Sequence, residues 1–314
     1  MAKTNRRPTT VAPSKRPAGP KPAARPAPPR RARPVGRRSS TYVWVAGLVV
    51  VAVVVSLVLV KVTSGPSAPT PVRPAPEAVV RAATSVPMST LEAVGTNQSF
   101  AKPPTPIHDV PLVAGGKPEV LFIGAEYCPY CAAARWSLVV ALSKFGTFSS
   151  LGVTASSSTD VDPNTPTFSF YGSHYSSPYL TFTPVEVYSN KPNGSGGYTS
   201  LQNPTPQQMA VWNKYGSGSS GGSSSSASNG PSFPFIDFGN SFVTVGAPYD
   251  PAVLQGLSLT TIAGSLADPS TQVAQNVGPV ANNFIAAICK ITNQQPSAVC
   301  SAPVIKKAMA ALGR

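Results

Sequence analysis

Cys128 and Cys131 stand two residues apart, with Pro129 and Tyr130 between them. Two thiols at this spacing can close a disulfide and reopen it. One sulfur attacks or is attacked, and the other resolves the mixed disulfide that results. The attacking species is the thiolate, which the unpaired N–H groups and positive dipole end of a helix N-terminus favour. Such chemistry therefore needs a helix that begins at the first cysteine. Cys128 is expected at the N-cap, exposed, as the entry nucleophile. Cys131, one turn in and more buried, is expected as the resolver. Pro129 suits the first helical position, where no N–H is required. The alternatives for the pair are a plain structural disulfide or half of a zinc site.

The elements that must position these sulfurs lie on either side. Val120 to Ile123 is a short apolar run of strand formers, and Gly124 ends it. Residues 132–145 read as a helix apolar on most of its circumference, hence buried, with Gly146 as its stop. Strand, Cys-x-x-Cys and helix in succession are the arrangement in which a thioredoxin-like fold holds a redox pair.

Further along, Thr167–Tyr171 and Val185–Tyr188 read as strands, and Thr205 opens a helix with Pro206 at its first position. The aromatics from Tyr175 to Phe182 read as core and strand-pair residues. Leu151 to Val161 is rich in Ser and Thr. Gly216 to Gly230 is a Gly/Ser run that cannot form a core. Phe233, Pro234 and the residues to Val245 read as a hairpin with a Gly239-Asn240 turn. In thioredoxin folds a cis-proline opens this strand and faces the redox disulfide, and that likeness implies a cis bond at Pro234. Pro129, Tyr130, Phe233 and Pro234 then line a groove for a substrate peptide in extended form. Residues 251–290 are helical by pattern, with breaks expected at Gly264, Asp268-Pro269 and Gly278-Pro279. Cys289 and Cys300 read as a structural disulfide before a last helix over Pro303–Leu312. A second redox pair or a four-cysteine zinc site are the rival readings. His108 and His174 read as loop and strand histidines without a site role.

The formal charge of the 314-residue chain is +14. Residues 1–38 carry twelve Lys and Arg and no acid, whereas twelve basic and eleven acidic residues follow Lys61. The basic excess thus belongs to a Pro/Ala/Arg-rich tail and gives no sign of nucleic-acid binding by a folded part. Tyr42 to Val60 has no charge and approaches the roughly 20 apolar residues that span a bilayer. The expected organisation is a disordered basic cytoplasmic tail over 1–41, a transmembrane helix over 42–60, a Pro-rich linker over 61–89 and a thioredoxin-like extracytoplasmic domain over 90–314. The fold class expected is α/β, thioredoxin-like, with a helical insertion. A compartment outside the cytoplasmic membrane is oxidising and favours disulfides.

The stretch Gly124-Ala-Glu-Tyr-Cys-Pro-Tyr-Cys-Ala-Ala-Ala-Arg-Trp136 resembles the domain-of-unknown-function 929 family of actinobacterial and archaeal thioredoxin-like proteins. So do Ser176-Ser-Pro-Tyr-Leu-Thr-Phe182, Pro184-Val-Glu-Val-Tyr-Ser-Asn190, Phe233-Pro-Phe-Ile-Asp-Phe-Gly-Asn240 and the Cys289/Cys300 pair. The resemblance covers about residues 90–312, supports the fold and implies no established substrate. Ala134 stands where the family motif leads one to expect a glutamate. Cytosolic thioredoxins carry a buried acid where this chain has Phe122, so no carboxylate is expected near the cysteines. That favours a more oxidising couple.

The resulting expectation is a single-pass membrane protein that exchanges disulfides with secreted or membrane proteins through Cys128 and Cys131. No metal or organic cofactor is implied. Redox equivalents come from a membrane protein or a small thiol. The rivals are a reductant working in the opposite direction and a non-catalytic module that binds a protein or a metal ion.

Overall fold

The computed structural model describes residues 73–96, 101–217 and 231–313. They fall in one compact unit, Ala68–Arg314. Two short helices come first, α1 (Glu77–Thr84) and α2 (Met88–Val94). The sequence placed most of this stretch in a linker. Val79, Ala83 and Leu91 are instead buried in the main core, so the folded part begins before residue 90. Three strands follow: β1 (Thr105–Pro106), β2 (Val113–Ala114) and β3 (Lys117–Gly124).

β3 is the centre of the molecule. Its side chains alternate between two cores: Val120 and Phe122 face one, Leu121 and Ile123 the other. A strand buried on both faces needs the continuous apolar run found here. Helix α3 (Pro129–Leu142) leaves the end of β3 and buries every residue but Tyr130. β4 (Thr147–Ala155) and β5 (Pro166–Ser176) form an antiparallel hairpin of their own. The Ser/Thr-rich segment at 151–161 thus begins inside a strand. Its Leu151 and Val153 are buried in the core, with Gly152 between them.

β6 (Thr181–Glu186) returns parallel to β3, with Glu119 opposite Thr181 and Gly124 opposite Glu186. β7 (Tyr188–Pro192) and β8 (Tyr198–Ser200) make a small ribbon. Helix α4 (Pro206–Tyr215) starts from a Thr205–Gln208 capping box, in which each side chain bonds the other residue's backbone N–H. β9 (Phe235–Phe238) and β10 (Phe242–Val245) form the expected hairpin, and β9 pairs antiparallel with β3. The turn places Gly239 and Asn240 at φ +65° and +55°, the left-handed region that Gly and Asn tolerate.

After a 3₁₀ turn at Pro251–Leu254 come α5 (Leu259–Ser265), α6 (Gln272–Ile291), α7 (Ser297–Cys300) and α8 (Pro303–Ala311). The break expected at Gly278-Pro279 is absent: α6 runs straight through both residues. Tertiary packing overrides the local signal. α6 lies against α2 and α3, and Val94 sits where a Cβ on residue 278 would stand. Ser137 of α3 donates to the Val277 carbonyl at 3.0 Å.

The expected fold class needs correction. The described residues form a mixed α/β structure, and no helix among them is long and apolar enough to cross a membrane. α3 has 14 residues, which reach about 21 Å against a hydrocarbon core of about 30 Å. α6 has the length but carries Gln272, Gln275, Asn276, Asn282, Asn283 and Lys290. The span expected at 42–60, the basic tail at 1–41 and most of the Gly/Ser run lie outside the described residues.

Cys289, near the end of α6, is bonded to Cys300 of α7, with the Cα atoms 5.6 Å apart. Closing an 11-residue separation restricts the unfolded chain, worth about 3 kcal/mol on the chain-entropy model. Cys289→Ala/Cys300→Ala should lose about that much in urea unfolding. An unchanged midpoint would show that the bridge does not stabilise this end of the protein.

Candidate active site

Cys128 is the N-cap of α3, with φ −81° and ψ 121°, and its sulfur accepts a hydrogen bond from the Cys131 N–H at 3.3 Å. Pro129 occupies the first helical position. Both cysteines are free thiols. Cys131 is fully buried. Burial pushes its thiol well above the ordinary range, the Cys128 contact adds to this, and Arg135 pulls the other way.

Cys128 is less open than expected, only 5 % exposed. The loop that carries it is pinned from three directions. Its N–H reaches the Ala125 carbonyl at 3.3 Å, the Glu126 N–H reaches the Tyr188 carbonyl at 2.8 Å, and the Ser157 N–H reaches the Tyr127 carbonyl at 2.8 Å. Tyr127 stacks on Tyr198 of the β7–β8 ribbon, with centroids 4.1 Å apart and planes 7° apart. It also meets Phe233 edge-on at 6.4 Å, and Phe233 lies 4.9 Å from Trp212. Burial raises the Tyr127 phenol far above its usual value, so it stays a neutral wall.

The Phe233–Pro234 peptide bond is cis. Its place follows from register. Ile123 pairs with Phe235 at the last step of the β3–β9 ladder, so Pro234 lies at the end of β3 that carries the cysteine loop. Of the four residues expected to line the groove, Tyr130 and Phe233 are half-buried, while Pro129 and Pro234 are buried. The partly exposed members of this set are therefore aromatic. Half-buried Tyr127 and Tyr198 and buried Trp212 pack against Phe233 or one another, and the sequence reading missed all three. Tyr127 adjoins Cys128 in the chain, which was a usable signal. Tyr198 and Trp212 are brought in only by tertiary packing.

The second correction concerns charge. A buried ionic cluster stands behind the cysteines where no carboxylate was expected. Arg135 of α3 and Glu186 of β6 are both fully buried and bonded twice, Nε to Oε1 at 2.8 Å and Nη2 to Oε2 at 2.6 Å. Burial opposes the Arg135 charge, but Glu186 more than restores it, so the guanidinium stays charged. Nearby, Glu126 accepts from Ser169 Oγ at 2.5 Å, and burial, only partly offset by that bond, raises its carboxyl. Glu126, Ser169, Asn190 and Lys191 line a cleft of about 470 Å³.

His108 and His174 are both exposed and away from this cluster. No group of three or more His, Cys, Asp or Glu side chains suited to a metal ion occurs among the described residues.

One protein family matches the chain, described as "Domain of unknown function (DUF929)", over residues 104–290. That range takes in both free cysteines, Phe233, Pro234 and Cys289, and ends before Cys300. No curated protein and no solved structure matches.

Proposed function

Since the chain belongs to the DUF929 family, whose description states no activity, we propose from the site itself that the protein is a thiol–disulfide oxidoreductase acting on protein cysteines. The observation that carries this reading is the placement of the two free thiols. Cys128 caps a helix N-terminus and receives the Cys131 N–H, with Cys131 buried one turn behind.

In the forward direction the oxidised pair meets a substrate thiolate. That sulfur attacks Cys128 Sγ, the Cys128–Cys131 bond breaks, and Cys131 leaves with the electron pair and takes up a proton. A second substrate thiolate then attacks the substrate sulfur of the mixed disulfide. The substrate leaves oxidised and the pair reduced by two electrons. A redox partner, a membrane protein or a small thiol in its disulfide form, must reoxidise the pair, and is itself reduced by two electrons. The half-exposed aromatics Tyr130 and Phe233 offer the polypeptide its first contact. The Cys289–Cys300 bridge supports work in an oxidising compartment, with secreted proteins as substrates. The mechanism uses no metal or organic cofactor.

The two sulfurs have different roles, and trapping distinguishes them. Cys131→Ser should accumulate a mixed disulfide through Cys128 when offered a thiol-containing peptide disulfide, because nothing resolves it. Cys128→Ser should form none, since Cys131 is buried. Equal trapping by both variants, or by neither, would remove this reading. Mass spectrometry of the non-reduced protein reads the outcome.

A further inference from the structure

The Arg135 guanidinium ends one carbonyl away from both cysteines. The Ala125 carbonyl accepts from Arg135 Nη2 at 2.9 Å and from the Cys128 N–H at 3.3 Å. The N–H of the same residue faces the Cys131 sulfur. Arg135 is also one helical turn beyond Cys131, on the same side of α3. Its Cζ lies 5.5 Å from the centre of the Phe122 ring. That ring and Cys131 Sγ both crowd the space where a Cβ on Gly124 would stand. Phe122, Cys131 and Arg135 thus share one buried pocket.

The ion pair in that pocket is lopsided. Glu186 holds Arg135 through Nε and Nη2, and Nη1, fully buried, has no hydrogen-bond partner among the described residues. The carboxylate is on β6, where the Phe170 N–H also reaches it at 3.2 Å. The cation stands on the cysteine helix and the anion on the strand beyond. In a low-dielectric interior such an arrangement favours an anion on the cation's side. Exchange creates one: Cys131 leaves as a thiolate whenever a substrate sulfur takes Cys128, and it must be a thiolate again to resolve. The disulfide form carries no charge there.

We propose that Arg135 is a positioning residue that holds Ala125 against both cysteines and stabilises the Cys131 thiolate as it leaves, so that a substrate thiolate opens the disulfide faster. This rests on the reading of Cys128 and Cys131 as the reacting pair. A leaving sulfur of lower pKa leaves faster.

The test uses charge changes of opposite sign. In a Cys128→Ser background, the Cys131 thiolate is followed by its ultraviolet absorbance against pH. Glu186→Gln leaves the cation in place and should raise the thiolate-to-thiol ratio at a given pH. Arg135→Gln/Glu186→Gln removes both charges and should lower the ratio about tenfold, one unit on the pH axis. Arg135→Lys keeps the charge and should stay near the parent, which covers the case in which Glu186→Gln does not fold. With both cysteines present, the rate at which glutathione opens the disulfide of the full chain should move in the matching sense: faster for Glu186→Gln, about threefold slower for the double variant. A merely structural role would push these variants the same way, or move only their melting temperatures. Either pattern, in folded protein, overturns the proposal. If the parent never exchanges with glutathione, the oxidoreductase reading fails, while the absorbance titration still decides whether Arg135 governs Cys131.

Discussion

Arg135→Met should destabilise the protein by about 3–5 kcal/mol, the usual cost of leaving one member of a buried ion pair without the other. Glu186 would then keep its carboxylate inside the sheet with only the Phe170 N–H as a direct donor to its oxygens. Ala125 would lose one of the two donors on its carbonyl. The second change, Glu186→Met in the same protein, should restore most of the loss, because two apolar side chains of similar volume replace the pair without stranding a charge. Urea unfolding of the two single variants, the double variant and the parent gives the coupling directly. Additive losses would mean that the pair does not act as a unit. Loss of the 5.5 Å contact between Arg135 and the Phe122 ring accompanies Arg135→Met, alone or in the double variant, and is the smaller effect.

Asp237 carries the second large expectation, and its sign is opposite to that of an ordinary acid. It is fully buried in β9, and burial pushes its carboxyl up to about 7. The Asn240 N–H on Oδ1 works against the shift, and the charges of Glu119 and Asp109 work with it. Oδ2 has no partner among the described residues, as suits an oxygen that carries a proton. In the unfolded chain the group ionises near 3.8. The unfolded state therefore gains from ionisation first. Stability from this residue is greatest below 3.8, declines as the pH climbs, and is lost once it passes about 7. Over that window the change is at most about 4 kcal/mol, at about 1.4 kcal/mol per unit. Asp237→Asn keeps the Oδ1 acceptor and removes the titration. It should match the parent at the acid end and exceed it by a few kcal/mol above neutrality. Denaturant midpoints across that range check it; parallel profiles for parent and variant would show that folding does not raise the Asp237 carboxyl.

How legible each part was in the sequence follows from the distance over which its cause acts. The apolar run Val120–Ile123, the helix behind the cysteines and the hairpin around Gly239-Asn240 are set by neighbours in the chain, and pattern was enough to find them. Pro234 was placed by likeness to thioredoxin folds, in which a cis-proline opens this strand, and not by local pattern. The Arg135–Glu186 pair could not be found that way. Its members are 51 residues apart and meet because β6 pairs parallel with β3, bringing Glu186 opposite Gly124. A faint signal existed: Arg135 is the one charge in an otherwise apolar helix, and Glu186 interrupts an apolar strand. α6 shows the reverse error, a strong local breaker at Gly278-Pro279 overruled by packing on two sides. Cys128 taught a similar lesson. Its N-cap position was local information, whereas its near-complete burial was not.

The measurement that bears most directly on the account is the equilibrium of the Cys128–Cys131 pair with glutathione buffers in the full chain, read by mass after acid quenching. The account predicts a disulfide that forms and reopens reversibly, with a potential toward the oxidising end of known couples, about −120 mV, and far from the thioredoxin end, about −270 mV. A pair that stays dithiol in every buffer while the protein remains folded would contradict it.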